Sequence, residues 1–128
     1  MATVAVRPQR LSNVVKCEFG KERNYERSVE TLVVPADCQI GTVFNAADGT
    51  ILVAADTVDL SGGVWILVDE AAYTDGAGTA DYAVLRGGVG ASGAAEVVIA
   101  GLKYGDALSA PQVAAVVAQL NAQGIRAV

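Results

Sequence analysis

From Leu32 onward the apolar positions come in short runs, and clusters of turn-forming residues separate them. Runs of this length, rich in Val, Ile and Thr, predict short strands. The predicted strands are Thr31–Val34, Ile40–Phe44, Thr50–Ala54, Val64–Asp69, Tyr82–Arg86 and Val97–Leu102. Between them lie Asn45-Ala-Ala-Asp-Gly49, Ser61-Gly-Gly63, Thr74-Asp-Gly-Ala-Gly78 and Gly87-Gly88, each able to supply the positive φ of a tight turn. The spacing predicts a meander. The period then changes: Val113, Val116, Val117 and Leu120 recur at i, i+3, i+4 and i+7, with Ser109 and Pro111 as a start and Gly124 as a stop. That pattern predicts a helix over 110–123, apolar toward the sheet and carrying Gln112, Gln119 and Gln123 on its polar side.

The first thirty residues differ. Thr3–Val6 alternates, Arg7-Pro8 interrupts it, and a charge-rich stretch runs from Lys16 to Glu30. Residues 1–30 are read as an extended arm and residues 31–128 as a β-rich domain. A short solvated helix competes for part of the arm, because Glu18, Glu22, Glu26 and Glu30 repeat at helical spacing beside Arg23 and Arg27; Gly20 and the like-charge repeats weigh against it. The expected fold class is mainly β (α+β): short strands with Gly-rich turns, one C-terminal helix and the N-terminal arm.

Composition sharpens this picture in three places. The chain has 128 residues and 14 glycines, a length suited to one domain with a real core. Its net charge of −5 offers no footprint for nucleic acid or an anionic membrane. The charge is uneven: residues 1–30 hold six basic residues and four acids, whereas residues 31–128 hold three and ten. A basic arm on an acidic body suggests two surfaces with different jobs. An amphipathic arm carrying Val4, Val6, Val14 and Val15 together with Arg7 and Arg10 can add a strand to a partner's sheet, backbone hydrogen bonds giving affinity and side chains giving register. The plainer alternative is a tail with no partner.

Histidine is absent, which excludes Ser–His–Asp and Cys–His hydrolases, HExxH proteases and Cys₂His₂ zinc fingers. Cys17 and Cys38 could form one disulfide; two reduced, partly buried thiols are the favoured reading for a protein made in a cytoplasm. No signal-peptide pattern opens the chain and no apolar run approaches the roughly 20 residues of a membrane span, so a soluble protein outside the Sec route is expected.

Three motifs invite chemistry and each has a simpler explanation. Gly88-Val-Gly-Ala-Ser-Gly93 fits the G-x-G-x-x-G spacing of dinucleotide sites, where glycines let a backbone turn approach a pyrophosphate. The Val- and Ile-rich segment after it forms no convincing βαβ unit, so a Gly-rich loop between strands is expected and no cofactor. Asp69, Glu70, Asp75 and Asp81 could hold Ca²⁺, but the spacing fits no EF-hand and solvated acidic loops are expected, with no metal. Arg86-Gly-Gly88 is a single RGG unit, read as a strand end.

Over about Leu32 to Val128, the order of elements resembles the head decoration proteins of lambda-like tailed bacteriophages. Gly41-Thr42 followed by Asp48-Gly49-Thr50 looks like that family's early Gly-Thr strand pair, and Gly63-Val-Trp-Ile-Leu-Val-Asp69 resembles its G-I-L-x-x-D strand. Tyr82-Ala-Val-Leu-Arg-Gly-Gly-Val89 resembles its A-x-V-L-x-x-G-x-V segment, and Leu102-Lys103 with Leu120-Asn-Ala-Gln-Gly-Ile125 resembles its closing elements. The resemblance implies a non-enzymatic cement subunit on the outside of the expanded head, made in the host cytoplasm. It implies self-association, commonly as homotrimers with dimers as the alternative, and an arm that reaches the major capsid protein. On that basis Val4, Val6, Arg7, Arg10, Val14 and Val15 are the expected capsid contacts, with no catalytic, cofactor or metal residues. This arm is longer and more charged than the short, Pro- and Thr-rich arms of the family. A β-rich phage adaptor or tail component is the alternative from another class, and a nucleotide-using enzyme built on Gly88–Gly93 is a third.

Overall fold

The computed structural model describes residues 15–18, 27–86 and 95–128. Its order is β1 (Val15–Glu18), β2 (Arg27–Val34), β3 (Val43–Asn45), β4 (Thr50–Ile51), β5 (Val64–Leu67), α1 (Ala71–Asp75), β6 (Gly78–Leu85), β7 (Ala95–Val97), α2 (Ala110–Ala122) and β8 (Ile125–Ala127), with 3-10 turns at Ala54–Val58 and Ile99–Gly101. The chain is mainly β with a C-terminal helix, as its hydrophobic pattern predicts. Five strands close into a barrel in the order β2-β4-β3-β5-β6, and β1-β7-β8 form a second, three-stranded sheet.

Strand alternation explains how one short chain fills two cores. Side chains at successive positions point to opposite faces. Leu32, Val34, Phe44, Leu67, Tyr82 and Val84, drawn from four barrel strands, fill the barrel interior together with Cys38 and Ala72. Their immediate neighbours Val43, Val64, Ile66 and Leu85 point outward and meet Val116 and Leu120 of α2, Val97 of β7 and Ile125 of β8. Directly opposed pairs keep to one face: Val43 with Ile66 and Ile66 with Leu85 outside, Phe44 with Trp65 and Leu67 with Val84 inside. Each fully buried Leu or Ile contributes about 1.5–3 kcal/mol relative to its exposed form.

Barrel closure depends on one glycine. β2 and β4 run parallel and meet only at Val33 and Thr50, where Val33 N donates to Gly49 O at 2.9 Å. Gly49 has φ +74°, and a Cβ there would sit 2.6 Å from the Thr31 carbonyl oxygen. The turn before it is stabilised by short-range bonds: Asn45 O accepts from Gly49 N at 2.8 Å, and Asp48 Oδ1 accepts from the Thr50 hydroxyl at 2.7 Å.

α2 matches the expected span, but Gln123, expected on its polar side, turns to the sheet and bonds the Val64 backbone. Ser109 Oγ accepts from Gln112 N at 3.4 Å while Gln112 Oε1 accepts from Ser109 N at 2.8 Å, a reciprocal cap, and Pro111 occupies the first turn where its missing N–H costs nothing.

Elsewhere the elements differ from the pattern in informative ways. The strand expected at Tyr82–Arg86 begins at Gly78, because pairing with β2 recruits Gly78-Thr-Ala-Asp81, which contain no large apolar residue. β2 likewise begins at Arg27 rather than Thr31. The runs at Thr50–Ala54 and Val97–Leu102 are cut short by the two 3-10 turns, and the run at Ile40–Phe44 becomes a strand only from Val43. β1, α1 and β8 are additional to the expected elements. The expected meander is a closed barrel that contains a parallel pair.

Candidate functional site

Of the expected contact residues, Val4, Val6, Arg7, Arg10 and Val14 lie outside the described residues, and Val15 opens β1. β1 runs antiparallel to β7, with Val15 opposite Val97, Cys17 opposite Glu96 and Glu18 opposite Ala95. Two stretches of the span read as an arm are therefore strands: Val15–Glu18 on the second sheet and Arg27–Glu30 in the first half of β2. The Gly88–Gly93 motif also lies outside the described residues.

Three of the four acids of the turn region have structural partners. Asp69 Oδ1 accepts from Ala71 N at 3.0 Å and its Oδ2 from Ala83 N at 3.2 Å, tying the start of α1 to β6. Asp75 Oδ2 accepts from the Tyr82 hydroxyl at 3.2 Å, and Asp81 Oδ1 from the Thr31 hydroxyl at 2.6 Å. Glu70 is exposed immediately before α1. Among the described residues no three His, Cys, Asp or Glu side chains gather as a metal site.

α1 and the Pro35–Cys38 turn close one end of the barrel, since Ala72 and Cys38 both pack into the interior core. Cys38 is a buried free thiol. Burial pushes its pKa up, against the opposing pull of a hydrogen bond with Thr42. The Tyr82 phenol is also raised, first by burial and then by its hydrogen bond to Asp75 and the nearby carboxylate charge. In both, burial disfavours the anion.

The outer face of the β2–β6 ladder is more open. Val29 and Val33 of β2 are 68% and 46% exposed, with Thr31 between them and Thr79 and Asp81 opposite on β6. The outward faces of β3 and β5 carry the second core, so this side of the barrel contrasts with them. Sequence reading missed these valines because Leu32-Val33-Val34 looks like a uniformly buried run. The period-2 pattern of Ser28, Glu30, Leu32 and Val34 facing inward emerges only once β2 is extended back to Arg27.

Comparisons with known proteins give no match: no family model, no curated protein and no solved structure matches the chain.

Proposed function

We propose that the protein is a non-enzymatic head decoration, or cement, protein of a tailed bacteriophage, binding the outer surface of the expanded head. Its partners under this reading are the major capsid protein and further copies of itself, as a homotrimer or a dimer. The observation that carries it is the division of labour along the chain. A basic N-terminal segment, one stretch of which already engages a sheet by strand addition, precedes an acidic, closed β body built on two packed cores. The resemblance of Leu32–Val128 to decoration proteins points the same way.

The mechanism is mass action. A subunit that binds only the assembled, expanded lattice shifts the equilibrium away from opened states, and many symmetric copies make modest single contacts add up against the pressure of packaged genome. Val4, Val6, Arg7, Arg10 and Val14 supply the contact to the capsid protein, by strand pairing and charge, while Val15 is taken up in β1 opposite Val97. A truncation lacking residues 1–14 leaves β1 and the barrel intact, so it should fold and fail to decorate heads; undiminished decoration by that truncation removes the arm from the account.

A second reading, an adaptor or tail component that binds another structural protein through the body, draws on the exposed Val29 and Val33. It predicts a partner bound without any lattice, and loss of that partner in a Val29→Lys, Val33→Lys variant.

A further inference from the structure

β1 is attached to the molecule on different terms from the barrel strands. Its strand partner among the described residues is β7, and the register shifts between Val15 and Cys17, so a bulge interrupts a four-residue strand. Such a strand has few ladder bonds; β2, by contrast, pairs with β6 along all eight of its residues.

The edge that receives β1 is built without it. β7 pairs on its other side with β8, Val97 is fully buried in the outer core with Ile125 and Leu120, and Val128 N donates to Val97 O at 2.9 Å. Ile99 N donates in turn to Val128 O at 2.8 Å. The acceptor edge is thus anchored by the barrel side of the molecule, and the occupant it fits is already known: the sequence Val-Lys-Cys-Glu in one register. A second copy carries that same segment. Exchange between two copies replaces each β1–β7 pairing with an identical one, so no backbone bond is lost and the local concentration of neighbours decides the balance.

We propose that β1 is exchanged between copies, Val15–Glu18 of one adding to β7 of its neighbour when copies stand side by side. The crowding of copies rests on the decoration reading; the exchange rests on the β1–β7 geometry. Its consequence is a strap from each copy to the next, in addition to any contact with a shell.

The test uses two versions of the full chain, each with Cys38→Ala. One keeps Cys17 and Glu96; the other carries Cys17→Ser and Glu96→Cys. Cα atoms of opposed residues in an antiparallel pair lie about 4.5–5.5 Å apart, within disulfide range. In a mixture of the two, a bond between positions 17 and 96 can form only between chains. The account predicts a covalent heterodimer, mapped to those positions, at least about tenfold more abundant on co-decorated heads than in dilute solution. A control chain with Cys38→Ala and Glu96→Cys closes the same bond within itself when dilute. Separate chains on heads, with the control still closed internally, overturn the exchange. Should the control not close, Glu18→Cys and Ala95→Cys in a Cys17→Ser, Cys38→Ala background replace the pair. If neither chain binds heads, the decoration reading fails. The same mixture is then oxidised after concentration, where a heterodimer supports the exchange and its absence overturns it.

Discussion

The side-chain amide of Gln123 and the backbone of Val64 exchange two hydrogen bonds: Oε1 accepts from Val64 N at 2.9 Å and Nε2 donates to Val64 O at 2.8 Å. The same Nε2 donates to Arg86 O at 2.9 Å, and Gln119 Nε2 donates to Gln123 Oε1 at 3.0 Å. A residue at the C-terminal end of α2 therefore acts as a one-residue strand partner for the start of β5 and also holds the end of β6. Gln123→Ala leaves those backbone groups without their partner and should cost about 1–3 kcal/mol. Gln123→Glu should cost more, because a carboxylate accepts from Val64 N but faces two carbonyl oxygens with no proton to donate. Urea unfolding of the three proteins gives the order, and equal stability of all three would show the contact to be idle.

Gly49 makes the sharpest steric prediction. Positive φ alone costs a non-glycine residue roughly 1–2 kcal/mol, and here the added methyl also meets the Thr31 carbonyl at 2.6 Å. Gly76 has φ +83° and ψ −172° with nothing within 4 Å of the point a methyl would occupy, so an alanine there meets backbone strain but no clash. Gly49→Ala should lower the melting temperature clearly more than Gly76→Ala, and should weaken protection of the Val33 amide from hydrogen exchange.

How much of this is legible in the sequence follows from particular residues. α2 is readable to within a residue because cap, proline, apolar period and stop all coincide between Ser109 and Gly124. The turn at Asn45–Gly49 is readable because its residue types act locally, through Asn45 and Asp48 side chains bonding to neighbours two positions on. The beginning of β6 is not, since Gly78-Thr-Ala-Asp81 becomes a strand only through the long-range partner β2. The same holds for β1 and β8, short segments whose pairing with β7 joins distant parts of the chain. Closure of the barrel is invisible for a like reason: it hangs on a single parallel contact and a glycine's missing side chain. Of the candidate contacts, only Val15 falls within a described element.

Alkaline conditions should expose the buried thiol and phenol. Cys38 and Tyr82 both titrate above their usual values in the folded chain, chiefly because burial penalises the anion. The folded state then holds protons that the unfolded chain releases, so their contribution is complete below the unfolded values and declines as pH rises through them. Stability should hold through neutrality, begin to fall above about pH 8.5 as the unfolded thiol ionises, and fall further above about pH 10 with the phenols, Tyr104 being raised by burial as Tyr82 is. Cys38→Ala should move the first onset upward toward the tyrosine range, read from urea midpoints across that pH span; an unchanged onset would assign it to another group.

Acid should act on the turns instead. Asp48 is pulled below its usual carboxylate range by hydrogen bonds from the Thr50 hydroxyl and amide, and Asp59 by those of Ser61. Their contribution is present above the unfolded carboxylate range and lost as pH falls through the depressed folded values. Both are exposed, so the effect on global stability is small. Carbon-detected NMR titration should show Asp48 rising toward an ordinary value in Thr50→Val, while Asp59 stays put.

The most direct test of the central claim is sedimentation of expanded, undecorated phage heads mixed with the purified protein, with low-resolution imaging of the pellet. The account predicts saturable binding at symmetric two-fold or quasi-three-fold positions on the outer surface, together with heads that resist heat or chelator better than bare ones. Protein that stays in the supernatant with every head form would contradict it.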